Sequence, residues 1–201
     1  MHVLRMRHAY RPLLSAVLLA ASFIAQAEAE PVSEPNYTTQ NLIIYNEQGQ
    51  VLLQRNFMGW STPGWRYDDR VTLTEGLHQL AGRYGVKITD LRLAGLFTYR
   101  YTYTPAMSTR SHYSARLAGG APKAPQGFDE LRWFSPKDAI AAMGDASQRS
   151  PQALVQLNRQ MLENPETIWG GAFHIRQEDE RYLSEMTEPF HAWGGQSRRS
   201  E

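Results

Sequence analysis

The stretch Gly64-Trp65-Arg66-Tyr67-Asp68-Asp69-Arg70-Val71-Thr72-Leu73-Thr74-Glu75-Gly76-Leu77-His78-Gln79-Leu80-Ala81-Gly82-Arg83-Tyr84-Gly85-Val86 decides the fold. It reads as a loop, then a helix opening after Thr72, then a turn at Gly85 into a strand. Thr72 followed three residues later by Glu75 is a capping-box pattern with Thr72 as N-cap. At ~100° per residue Leu73, Leu77, Leu80 and Tyr84 fall within about 60° of one another and form one apolar face. Glu75, Gln79, Gly82 and Arg83 fall on the opposite side, so the helix packs through leucines and presents a polar face outward.

Upstream, Leu42-Ile43-Ile44-Tyr45 and Val51-Leu52-Leu53-Gln54 flank the turn Asn46-Glu47-Gln48-Gly49 and predict a hairpin. Phe57 to Pro63 reads as a Gly/Trp-rich loop leading into Gly64. Downstream, Phe97, Tyr99, Tyr101 and Tyr103 alternate with polar residues, which predicts a strand with four rings on one face. Pro105 to Thr109 reads as a turn, Ser111 to Leu117 as the returning strand, Gly119 to Gly127 as a surface loop and Leu131 to Phe134 as a short strand. Ser135-Pro136 opens a helix that Gly144 closes; Ser150-Pro151 opens another that Asn164-Pro165 stops. The remainder, rich in aromatic residues from Ile168 to Trp193, is expected to pack on the domain rather than to be disordered.

At the other end, Arg5, Arg7 and Arg11 precede an apolar run from Leu13 to Ala25 and the small-x-small sites Ala25-Gln26-Ala27 and Ala27-Glu28-Ala29. This is the pattern of a secretory signal peptide, and the apolar run is short for a membrane span, which needs ~20 residues. The expected organisation is a signal peptide at 1–27, a linker or entering strand at 28–40, a domain at 41–147, a C-terminal helical and aromatic extension at 148–193 and a frayed tail at 194–201. The expected location is the periplasm or the outside of the cell, with no stable membrane span after cleavage. The leader holds three of the 21 Lys and Arg residues and none of the 20 acids, so the mature chain is slightly acidic. Without a basic surplus there is no electrostatic case for a nucleic-acid partner. The absence of cysteine excludes disulfides, thiolate metal sites and a cysteine nucleophile. His78, His112, His174 and His191 show no short metal-ligand spacing.

The order of hairpin, Gly-led loop, helix, strands, short strand and Ser-Pro helix, from Asn41 to Met143, resembles a Nudix hydrolase domain. The family box is Gly, five residues, Glu, seven residues, then Arg-Glu-aliphatic-x-Glu-Glu-x-Gly-aliphatic. With its first Gly on Gly64, its last Gly falls on Gly85, its final aliphatic residue on Val86 and its internal aliphatic residue on Leu80. The resemblance implies an α/β (α+β) fold, an α/β/α sandwich with a mixed sheet, here followed by a C-terminal helix and aromatic extension. It also implies helix glutamates that hold Mg²⁺ or Mn²⁺ against a pyrophosphate. Yet the early Glu is Arg70, the Arg is His78, and the three helix acids are Gln79, Gly82 and Arg83. A hard divalent ion needs anionic oxygen ligands, so the usual metal site is not expected and no cofactor is implied.

Glu75, Asp69 and Glu130 remain as weak metal candidates, and Glu75 and Glu130 as weak catalytic ones. Each has an ordinary structural role: Glu75 as the capping glutamate, Asp69 as a loop acid, Glu130 as a surface acid or arginine partner. Arg83, Gln79, His78, Trp65 and Tyr101 are the candidate ligand-binding residues. The leading expectation is an exported Nudix-fold domain that binds a small molecule or a protein partner in place of hydrolysis. The alternatives are a diverged phosphohydrolase acting on nucleoside diphosphate-linked compounds with a non-standard Mg²⁺ or Mn²⁺ site, and an interaction module using the aromatic C-terminal segment.

Overall fold

A computed structural model describes residues 36–67, 70–145, 151–179 and 181–195. The leader at 1–27, Asp68, Asp69 and the end of the chain from residue 196 lie outside the described residues. The elements in chain order are β1 (Tyr37–Tyr45), β2 (Val51–Asn56), β3 (Gly59–Ser61), β4 (Gly64–Arg66), α1 (Leu73–Arg83), β5 (Val86–Tyr101), β6 (Met107–Gly120), β7 (Glu130–Phe134), α2 (Pro136–Met143), α3 (Gln152–Glu163), β8 (Thr167–Glu178) and β9 (Arg181–Gly195). They form one mixed sheet in the order β3-β2-β1-β6-β5-β8-β9, with β4 added to β1 and β7 to β2. The pairs β1/β6 and β5/β8 are parallel and the other pairs antiparallel.

Alternation along β1 and β2 divides the core in two. Leu42, Ile44 and Leu52 face α1 and pack with Leu77, Leu80, Ala81 and Tyr84. Ile43, Val51 and Leu53 face the other way and pack with Ala139 and Met143 of α2 and Leu157 and Met161 of α3. A sheet buried on both faces in this way is an α/β/α sandwich, and it explains why β1 and β2 read as continuous apolar runs.

The helix ends follow the sequence signals. Thr72 Oγ1 accepts from Glu75 N at 3.3 Å, and Ser135 Oγ accepts from Asp138 N at 3.1 Å, each satisfying an otherwise orphaned amide. At α3 no side chain of its own segment caps the start. There Ser184 Oγ of β9 accepts from Ala153 N at 2.8 Å, so the cap comes from the far end of the chain.

Several expectations are corrected. The segment Phe57–Pro63, read as a loop, contains β3, and Gly64–Arg66 is a strand paired with β1. The entering segment is already strand from Tyr37, and β6 begins at Met107 inside the expected turn and runs on to Gly120. The largest correction is C-terminal. The helix α3 covers residues 152–163 and stops at Asn164 as expected, but the aromatic segment after it, expected only to pack on the domain, forms the β8/β9 hairpin, joined in parallel to β5, and Gly194 is strand rather than frayed tail. The pair Gly170-Gly171 hides the alternation of β8. A side chain at Gly170 would collide with Trp193 and His191, and Gly171 leaves room for Phe97 and Phe190. Of the four aromatic residues expected on one face, Phe97 and Tyr99 are core, whereas Tyr103 lies past the end of β5 and is half exposed.

Candidate functional site

The polar face of α1 carries Glu75, His78, Gln79, Gly82 and Arg83, all exposed. The helix is pressed onto the sheet on its other side, where Gly76 is buried beneath the Trp65 ring and has no room for a Cβ. Trp65, a candidate ligand residue, is thus engaged in seating the helix. Glu75 accepts through Oε1 from Gln79 Nε2 at 3.4 Å, along one turn of the helix. Glu130 accepts from Arg132 and lies 3.8 Å from Arg55 of β2, so it is an arginine partner at the β2/β7 edge. Among the described residues no group of three or more His, Asp or Glu side chains is placed to hold a metal ion. This donor set does not fit a hard divalent cation: Gln79 offers one neutral oxygen, Gly82 none, and Arg83 a positive charge. The remaining candidate, Asp69, lies outside the described residues.

On the opposite face of the sheet lies a cavity of about 280 Å³ between β1, β3, β6, α2 and α3. Its polar lining includes Asn41, Arg110, His112 and Asn158, and Trp60 and Trp65 also line it. Asn41, Arg110 and His112 come from the core side of their strands, and Asn158 from the buried face of α3. Ser108, Arg110 and His112 alternate along β6 and place three polar side chains where neighbouring strands place Ile, Val or Phe.

Arg110 is the centre of this arrangement. Its Nη2 donates to Tyr101 Oη at 3.1 Å. Its guanidinium lies over the Tyr99 ring, 4.5 Å from the centroid. Tyr101 Oη also accepts from Tyr37 Oη at 3.1 Å and lies 2.9 Å from Ser108 Oγ. Burial acts to raise the Tyr101 phenol, but the Arg110 charge and the hydrogen bonds with Ser108, Tyr37 and Arg110 outweigh it and pull the group below its usual range. No carboxylate among the described residues pairs with Arg110, and its Nε is buried without a hydrogen-bond partner. His112 Nδ1, Asn158 Oδ1 and Tyr99 Oη are in the same state. Buried polar atoms are rarely left unpaired; Gln40 Oε1 is a fifth such atom among the described residues, and three of the five belong to residues lining one cavity.

Of the candidate ligand residues, Trp65 reaches this cavity and Tyr101 lines the recess beside it, whereas His78, Gln79 and Arg83 stay on the exposed face of α1. Arg110, His112 and Asn158 were not among the sequence candidates. The signal that could have found them is the polar alternation Ser108, Arg110, His112 within an otherwise apolar sheet.

His112 is held neutral. Burial, and secondarily the Arg110 charge, push its imidazole down to about 3. In the unfolded chain the group titrates near ~6.5. Between these values the unfolded state binds more protons, so stability is complete above ~6.5 and is lost as pH falls toward 3. The expected loss from this group is on the order of 2 kcal/mol at ~pH 5. Urea unfolding of the wild type and His112→Gln at pH 7 and pH 5 checks it. The wild type should lose stability relative to the variant on acidification, and parallel losses would contradict the assignment.

No protein-family model matches the sequence, and no curated protein sequence matches it. Solved structures do. A MutT protein from Bacillus halodurans superimposes with a TM-score of 0.61 at 17% identity, over 76% of this chain and 99% of its own. A NUDIX hydrolase from Nitrosomonas europaea gives 0.50 at 13%, over 72% and 81%. A MutT protein from Methanosarcina mazei Go1 gives 0.51 at 17%, over 67% and 98%. The chain has the Nudix fold.

Proposed function

We propose that this Nudix-fold protein is exported and binds a small ligand in the Arg110 cavity, having given up metal-dependent pyrophosphate hydrolysis. The observation that carries the proposal is the contrast between the two faces of the sheet. The α1 face, where the family resemblance places metal-binding glutamates, presents Gln79, Gly82 and Arg83. The opposite face retains a cavity of about 280 Å³ whose buried polar atoms lack partners. Export is supported by the arginine-led apolar run and small-x-small sites at the start of the sequence.

A turnover screen with nucleoside diphosphate-linked compounds, with Mg²⁺ and with Mn²⁺ at millimolar concentration, tests the loss of hydrolysis. The expected result is no metal-dependent release of product above the buffer rate. Turnover that needs the metal and is abolished by Glu75→Gln or Glu130→Gln would instead establish a diverged phosphohydrolase.

A further inference from the structure

Beside the first cavity, and sharing Ser61, Arg110 and Leu154 with it, is a second recess of about 260 Å³. Its walls are Tyr99, Tyr101 and Tyr103 from β5 and the turn after it, and Tyr182 and Ile175 from the C-terminal hairpin. The rings are tilted against one another: Tyr101 and Tyr103 have centroids 5.4 Å apart at 54°, and Tyr103 and Tyr182 6.0 Å apart at 57°. Tyr103 is 49% exposed, and with Tyr182 it forms the mouth of the recess. Arg110, the cation of the recess, has a buried Nε–H without an acceptor, and the Tyr99 hydroxyl beside it is also unpartnered.

We propose that this recess binds a planar aromatic monoanion, an aryl carboxylate, whose carboxylate pairs with Arg110 and whose ring lies against Tyr101, Tyr103 and Tyr182. The inference rests on reading the protein as a ligand-binding one and names the ligand class. A cationic ligand is disfavoured by a desolvated guanidinium that has no carboxylate partner among the described residues. A neutral ligand would leave that charge uncompensated. The guanidinium fork matches a planar carboxylate in geometry and charge, whereas a phosphate dianion would call for more positive charge than one arginine supplies. The tyrosine faces and edges suit a flat ring, and the volume suits one or two rings rather than a dinucleotide.

Calorimetric titration of the folded protein with 2-naphthoate, 2-naphthamide, cyclohexanecarboxylate and inorganic phosphate tests the proposal. Naphthoate should bind about tenfold or more tightly than each of the other three, the amide lacking the charge, the cyclohexane acid the flat ring, and phosphate both the ring and the planar carboxylate. Tyr103→Ala, at the exposed mouth, should weaken naphthoate by several-fold without lowering the melting temperature; Tyr182→Ala, whose ring also packs against the core, should weaken it by several-fold in a protein that circular dichroism shows to be folded. Arg110→Gln should abolish the preference for naphthoate over naphthamide, and circular dichroism verifies that the variant folds. Equal binding of acid and amide, phosphate binding tighter than naphthoate, no binding of any probe at millimolar concentration, or unchanged affinity in both tyrosine variants would overturn the proposal. Metal-dependent turnover of nucleoside diphosphate-linked compounds would overturn the loss of hydrolysis and leave this site standing, so the two failures are distinguishable.

Discussion

The triple variant Gln79→Glu, Gly82→Glu, Arg83→Glu is expected to bind Mn²⁺ on the order of 100-fold more tightly than the wild type, measured by calorimetry. The three positions are exposed on the face of α1 away from the sheet, so the new carboxylates bury nothing. A Cβ at Gly82 meets no atom within 4 Å. Gly82 lies in the last turn with Arg83, so losing that cation and adding carboxylates at the negative end of the helix dipole costs about 1 kcal/mol, which replacing the glycine offsets only in part. The helix and its seating under Trp65 are already in place. What is missing is anionic oxygen. If the triple variant folds but gains no affinity, the position of α1 rather than its charges limits metal binding.

Phe97→Ala is expected to cost about 3–5 kcal/mol, read as a fall in the urea midpoint at pH 7. The Phe97 side chain is fully buried. It meets His112 edge-on at 5.6 Å and Phe190 at 6.1 Å, so it joins the central strand β5 both to the β6 wall of the cavity and to the C-terminal hairpin. Two of its neighbours, Gly95 beside it and Gly171 opposite it on β8, have no side chains that could move into the space it would leave. The hairpin should loosen first, seen as faster amide exchange along β8 than along β1. A loss below about 1 kcal/mol, or uniform exchange, would show that the hairpin does not depend on this contact.

The half of the molecule that obeys local rules was legible in the sequence. Thr72, Ser135 and Gly144 mark helix ends by chemistry internal to their own segments, and the leucines of α1 and the apolar runs of β1 and β2 report their packing faces directly. The C-terminal hairpin was not legible, because its pairing depends on a parallel contact with β5 that is distant in sequence and its glycines erase the alternation. The start of α3 likewise draws its cap from Ser184. For the site, the charge pattern of α1 was readable because a family box supplies the expectation against which Gln79, Gly82 and Arg83 stand out. The opposite cavity was missed because Arg110 falls between the expected turn, which ends at Thr109, and the expected strand, which begins at Ser111, so the alternation from Ser108 to His112 was cut. Only the pairing of β6 between β1 and β5 turns Arg110 inward, over Tyr99.

The central claim is that the polar face of α1 holds no divalent cation, and titration of the wild-type protein with Mn²⁺ tests it most directly. A featureless heat of dilution up to millimolar Mn²⁺ is expected, unchanged in Glu75→Gln. A saturable, stoichiometric isotherm in that range that disappears in Glu75→Gln would contradict it.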